Sequence, residues 1–166
     1  DKFSQSGIPV ISLNLSRVEG IFLIKKKLAH VMEEYQIHLL HTTGLRADSI
    51  AKSFADLPSI CSVRNYPYHD YCMKYGKAKG TMIALYHSTI LQKNKYNVAC
   101  SHFIHDMIKK VGIESSVISN GVDTQRFTPA VDNDEKIKLR EKLNLPTDGV
   151  IWITTGSLIP RKDPIN

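Results

Sequence analysis

Long apolar runs, cysteine pairs and low-complexity stretches are missing from these 166 residues. No apolar run approaches the roughly 18 residues that a membrane-spanning helix needs. The first residues, Asp1-Lys2-Phe3-Ser4-Gln5-Ser6, lack the basic, apolar and small-residue order of a secretory leader. A chain that opens on Asp rather than Met is expected of a piece of a longer protein. Three cysteines (Cys61, Cys72, Cys100) form no CxxC pair. So sparse and odd a set reads as reduced thiols in a cytoplasmic protein, not as a disulfide framework. Also missing are the dinucleotide GxGxxG, the phosphate-loop GxxxxGK[ST], the nucleophile elbow GxSxG and the zinc-protease HExxH.

What remains is ordinary globular material: 42% hydrophobic and 23% charged residues, which excludes disorder. The net charge is +6 and the isoelectric point about 9.2. This balance favours anionic partners (phosphates, an acidic bilayer face or nucleic acid) without choosing among them.

Short apolar runs alternate with helical patterns. Residues 8–15 form the first run. Ser16 and Glu19 then fit a capping box, which predicts a helix to about Glu34. Residues 37–41 are the second run, followed by a Thr-Thr-Gly turn and a helix through Ala55. Residues 60–63 are the third, followed by a polar aromatic loop over 65–75. A long helix is expected over 77–92. Residues 97–100 are the fourth run, with Ser101 opening a helix to Val111. Residues 116–118 are the fifth run. A loop with two breakers, Gly121 and Pro129, precedes a charged helix over 133–143, and 150–155 is the sixth run. Strands apolar throughout and separated by helices predict an α/β fold with a Rossmann-like parallel sheet covered on both faces. In such sheets ligands gather beyond the carboxyl ends of the strands.

Several features have plain explanations. Asn14-Leu15-Ser16 matches a glycosylation acceptor, read as chance. His102 and His105 stand three apart on a predicted helix but lack a second ligand pair, so no metal site is expected. Lys25-Lys26-Lys27 reads as a solvated helix face. Residues 74–110 carry seven lysines against one acid, Asp106, which suits either solubility or contact with an anionic membrane face. The segment 117–129 is more distinctive. Asn120-Gly121 suits a tight turn, the Asp123 carboxylate can hold it, and Phe127 and Pro129 can pin the chain. Thirteen residues exceed what a short connection requires.

Ser119-Asn-Gly-Val-Asp123 with Phe127 and Pro129, then a charged helix ending Leu143-Asn-Leu-Pro146, then a strand and Thr155-Gly-Ser-Leu-Ile-Pro-Arg-Lys162, resembles the group 1 family of nucleotide-sugar glycosyltransferases, of GT-B fold. His41-Thr-Thr-Gly-Leu-Arg-Ala-Asp48 and Val98-Ala-Cys-Ser101 also look like that family's first lobe. The resemblance implies a partial acceptor-side lobe over 1–119, an interdomain linker over 120–132 with Asn120, Gly121 and Asp123 at its turn, and the truncated start of a donor-binding lobe over 133–166. The donor would be a nucleotide sugar and the acceptor a glycan or lipid-linked sugar. No cofactor is expected, because phosphate stabilisation in this family rests on cations and helix termini rather than a metal.

The resemblance places Lys162 on the donor diphosphate, with Arg161 and Gly156 beside it. Ser157 stands where the family usually has Arg, which leaves open whether Arg161 takes that role. Arg64 stands where the family often has His; it and His69 are the candidates for a catalytic role. Arg64 could also grip an anionic acceptor such as a lipid diphosphate. His41, Thr43, Asn65 and Ser101 complete the acceptor-side set, with Ser101 also suited to capping a helix. Two other readings stay open: a sugar-nucleotide 2-epimerase of similar fold, and a non-catalytic phosphate- or nucleic-acid-binding module. Nucleic acid is disfavoured, since no basic-aromatic single-strand platform is evident, although Tyr66, Tyr68 and Tyr71 lie near Arg64. The expected setting is cytoplasmic, peripheral to the inner membrane face if the basic stretch binds it. Self-association is expected of a truncated sheet.

Overall fold

The computed structural model describes residues 5–153. The chain divides into two compact units, Asp1–Ser119 and Asn120–Asn166.

The first unit is a four-stranded parallel sheet with helices. Helix α1 spans Arg17–Glu34, followed by β1 (Leu40–Thr42), α2 (Leu45–Ala51), β2 (Ser59–Val63), α3 (Pro67–Tyr75), α4 (Lys77–Lys93), β3 (Tyr96–Ala99), α5 (His102–Lys109) and β4 (Ser116–Val117). The strands lie in the order β1-β2-β3-β4, all parallel. This sequential order with helical crossovers is the Rossmann-like α/β arrangement.

Local chemistry explains most boundaries. Ser16 caps α1: its hydroxyl accepts the Glu19 N–H at 3.3 Å and the Glu19 carboxylate accepts the Ser16 N–H at 2.9 Å. Those bonds hold the Glu19 carboxyl below its ordinary pKa. Ser101 caps α5 by accepting the Ile104 N–H at 3.2 Å. Gly76 ends α3 and starts α4 at φ 79°, a conformation that disfavours any side chain. Gly80 then lets the two helices touch: a Cβ there would lie 2.4 Å from the Cys72 Cα and 2.5 Å from the Tyr71 carbonyl oxygen.

The core lies on one face of the sheet. Cys61, Val63, Leu91, Ala99, Ile104, Ile108 and Ile113 form a buried cluster drawn from β2, α4, β3, α5 and the turn beyond it. Burial pushes the Cys61 thiol up to about 11, although the Thr42 hydroxyl opposes this. Asn97 is buried among these groups and fully used: its amide N–H groups donate to the carbonyls of Leu91, Asn94 and Glu114, and its oxygen accepts from Asn94. It thus ties the end of α4 to β3 and to the segment before β4.

Several expectations are corrected. Residues 8–15 are not a strand; Ile8, Val10 and Ile11 are exposed. Pro9 offers no N–H to a ladder and Asn14 sits at φ 45°, which breaks extended geometry. The polar aromatic stretch expected to be a loop contains helix α3, because Pro67 is pre-organised for a first helical turn. Helix α2 stops at Ala51, short of Ala55. The second apolar run pairs only from Leu40, since Gln36 at φ 49° turns the chain just before it. Among the described residues the sheet is covered on one face. On the other, Leu39, Ile60, Tyr96, Val98 and Ile118 line an open trough.

In the second unit, α6 spans Asn133–Lys142. Asp132 caps it by accepting the Glu135 N–H at 2.8 Å. The Arg140 guanidinium gathers the carbonyls of Pro146, Thr147, Asp148 and Gly149 at 3.1–3.3 Å, closing the following turn. Neither Asn120 nor Gly121 adopts positive φ. The turn forms instead just beyond them, where the Asp123 carboxylate accepts the N–H groups of Gln125 and Arg126 at 3.1 and 3.0 Å. Residues 150–153 of the sixth run form no strand, and Trp152 is 92% exposed. No described strand of this unit stands beside them to pair. The rest of that run lies outside the described residues.

Candidate functional site

The carboxyl ends of β1, β2 and β3 form one rim. Parallel pairing aligns Thr42 with Cys61 and Val63 with Ala99, so the segments beyond them emerge side by side. Side chains then stitch these segments together. The Thr43 hydroxyl donates to the Ser62 carbonyl at 3.1 Å. The Cys100 N–H donates to the Val63 carbonyl at 3.2 Å, and its thiol to the Arg64 carbonyl at 3.4 Å. The rim thus brings Thr43, Arg64, Asn65 and Ser101 together, with Arg64 and Asn65 exposed.

Three of the candidate residues are engaged by the fold itself. His41 sits in the middle of β1, and its Nε2 faces the Ser62 hydroxyl at 2.8 Å. It therefore lies below the rim. His69 lies on α3, edge-on to the Tyr66 ring with centroids 4.9 Å apart, and Tyr66 in turn meets Tyr68. Burial raises the Tyr66 phenol above its ordinary pKa. The Ser101 hydroxyl is engaged as a helix cap. Gly156, Arg161 and Lys162 lie outside the described residues. Among the described residues no group of three His, Cys, Asp or Glu side chains is arranged to hold a metal, and His105 faces the Ser115 hydroxyl at 2.9 Å.

The structure also assembles what the sequence did not announce. Asp48 of α2, His87 of α4 and Tyr71 of α3 form a hydrogen-bonded relay. His87 Nε2 faces the Asp48 carboxylate at 2.8 Å, and its Nδ1 faces the Tyr71 hydroxyl at 2.9 Å. With the tyrosine donating to Nδ1, the imidazole donates from Nε2 to the carboxylate. Asp48 and His87 are buried, and the second Asp48 oxygen has no partner among the described residues. Burial raises the Tyr71 phenol, against the lowering effect of the Leu45 N–H. One signal was legible: His87 stands alone on a helix face with Ile83, Ile90 and Leu91, a place where an imidazole needs a partner.

The four parallel strands with their helical crossovers form a Rossmann-like sheet of the kind found in GT-B glycosyltransferases. The model of Glycosyltransferase Family 4 matches residues 5–126, and the chain belongs to that family. Among solved structures, sucrose-phosphate synthase from Thermosynechococcus elongatus aligns over 84% of this chain at 14% identity and a TM-score of 0.59. A glycosyltransferase from Rickettsia africae aligns over 87% at 19% identity and a TM-score of 0.52. These likenesses are of fold. The chain spans 37% and 38% of those two chains. No curated protein matches it.

Proposed function

We propose that the protein to which this chain belongs transfers a sugar from a nucleoside-diphosphate sugar to a glycan or lipid-linked acceptor. The observation that carries this reading is the family match over residues 5–126, falling on a lobe whose strand ends gather Thr43, Arg64, Asn65 and Ser101. In this reading residues 1–119 are the acceptor side, 120–132 the linker and 133–166 the start of the donor lobe. Arg64 meets a negatively charged part of the acceptor, because a guanidinium matches a phosphate or carboxylate with two parallel bonds. Lys162, helped by Arg161 and the close backbone of Gly156, neutralises the departing diphosphate. That is where charge develops in the transition state, and so where a fixed cation lowers the barrier most. No metal is assigned a role.

The reading extends to setting and partners. Sparse cysteine use suits a cytoplasmic location. The basic stretch over 74–110 suits peripheral contact with an anionic membrane face; no helix among the described residues is long and apolar enough to cross a membrane. The open sheet face suits self-association of the isolated chain.

The test is product chemistry on the longer protein. Nucleoside diphosphate should be released from a nucleotide sugar only when a sugar acceptor is present, and Lys162→Ala should slow release by about a hundredfold or more, as loss of a transition-state charge contact does. Interconversion of the nucleotide sugar without any acceptor would instead indicate an epimerase. The isolated chain should be inactive.

A further inference from the structure

Helices α1, α2, α3 and α4 enclose an open groove of about 1140 Å³. Thr43, on the rim described above, is among its lining residues. Three cations line it: Lys25 from α1, Arg46 from α2 and Lys74 from α3. No carboxylate lines it. Like charges lining one groove raise the local potential, and an anion entering between them relieves it. Arg46 reaches across to α1, where its Nη2 would stand 2.6 Å from a Cβ on Gly20, so the guanidinium lies close to the backbone of that helix. Lys74 lies over the Tyr75 ring, 5.2 Å from its centroid.

The wall is built as firmly. Tyr71 lines the groove, and the buried His87–Asp48 pair holds its hydroxyl. The Tyr71 ring stacks on Tyr75 at 6.4 Å. Ile24, Ile50 and Ile83 supply an apolar floor. The volume far exceeds a lone phosphate, so the floor has room for the body that carries it. A ligand with a charged group and a less polar body matches both parts.

We propose that this groove binds a phosphate or diphosphate group held by Lys25, Arg46 and Lys74. The inference deepens the proposed transfer by assigning its acceptor to phosphate-bearing compounds. It rests on that reading for the acceptor's role, but the binding itself is measured without turnover. A phosphate of this kind comes from a lipid headgroup or from a soluble ester.

The test is calorimetric titration of the chain with inorganic pyrophosphate at low salt, with circular dichroism confirming the fold of each variant. Saturable binding is expected, weakened about tenfold by K25Q and again by K74Q, the scale of a charged hydrogen bond. Both are surface changes that leave the fold intact. R46Q should act similarly. K109Q/K110Q, at the end of α5 and outside the groove, should leave binding unchanged. Vesicles of phosphatidylcholine with and without phosphatidylglycerol separate the two sources. Binding to the anionic vesicles that pyrophosphate displaces and K25Q/K74Q abolishes supports a headgroup. Pyrophosphate binding without vesicle binding supports a soluble ester. Absence of saturable pyrophosphate binding, or equal weakening by K109Q/K110Q, overturns the proposal. If the longer protein releases no nucleoside diphosphate, a positive titration still stands; if the titration fails while release persists, the groove alone is refuted.

Discussion

Replacing His87 with Phe tests whether the buried relay holds the first unit together. The substitution keeps a ring of similar size in α4 but removes two contacts: Nε2 to Asp48 at 2.8 Å and Nδ1 to Tyr71 at 2.9 Å. Asp48 is 2% exposed, and one of its oxygens already lacks a partner. After the change neither oxygen has one. Removing the imidazole donor from a buried carboxylate costs about 3 kcal/mol or more, because the remaining charge stays desolvated. Loss of the acceptor for the Tyr71 hydroxyl proton adds about 1 kcal/mol. Set against about 5–15 kcal/mol for a domain, the variant should lose a third or more of its stability. In urea the midpoint should fall by about 2 M, at an m value of about 2 kcal/mol/M, followed by far-ultraviolet circular dichroism. The companion Asp48→Leu/His87→Phe replaces both partners by apolar groups and should recover much of the loss, so its cost is well below the sum of the single changes. A loss under about 1 kcal/mol for His87→Phe, or a double variant whose cost equals that sum, would refute the assignment.

Gly80→Ala should destabilise by about 1–3 kcal/mol, since its Cβ would collide with the backbone of Cys72 and Tyr71; an unchanged melting temperature would show that α3 can move away from α4. Of the three cysteines, Cys61 should be alkylated last in the native chain and as fast as the others in urea, read by mass spectrometry, because it is 2% exposed. Its thiol is raised from 9.0 to about 11 in the fold. The folded state therefore holds this proton more tightly, and the associated stability is present below pH 9.0 and is lost as pH rises towards about 11; urea midpoints across that range check the sign. Ser16→Ala should increase amide exchange in the first turn of α1. Because Glu19 is lowered by its bonds to Ser16, the cap should also weaken in the wild-type chain as pH falls into the carboxylate range, and equal exchange at neutral and acid pH would count against it.

Local signals decided the parts of this protein that depend on neighbours along the chain. The Ser16 and Glu19 box, the Ser101 cap and the apolar runs at β2 and β3 were legible because each needs only residues a few positions apart. The same holds for the parallel α/β class, which follows from apolar runs alternating with helical patterns. The resemblance to glycosyltransferases was legible too, since it rests on short motifs. Where a segment's fate depended on a distant partner, local pattern misled. Residues 8–15 look like a strand but have Pro9 and a left-handed Asn14. Residues 67–75 look like a loop, but they form a helix beside α4 that Gly80 admits. Only the tertiary structure could join Asp48 to His87 across 39 positions and His87 to Tyr71 across 16, or gather Lys25, Arg46 and Lys74 into one groove. The reason is physical: a cap or a periodic face is satisfied within one element, whereas a buried polar group or a cationic pocket exists only once separate helices have been packed together.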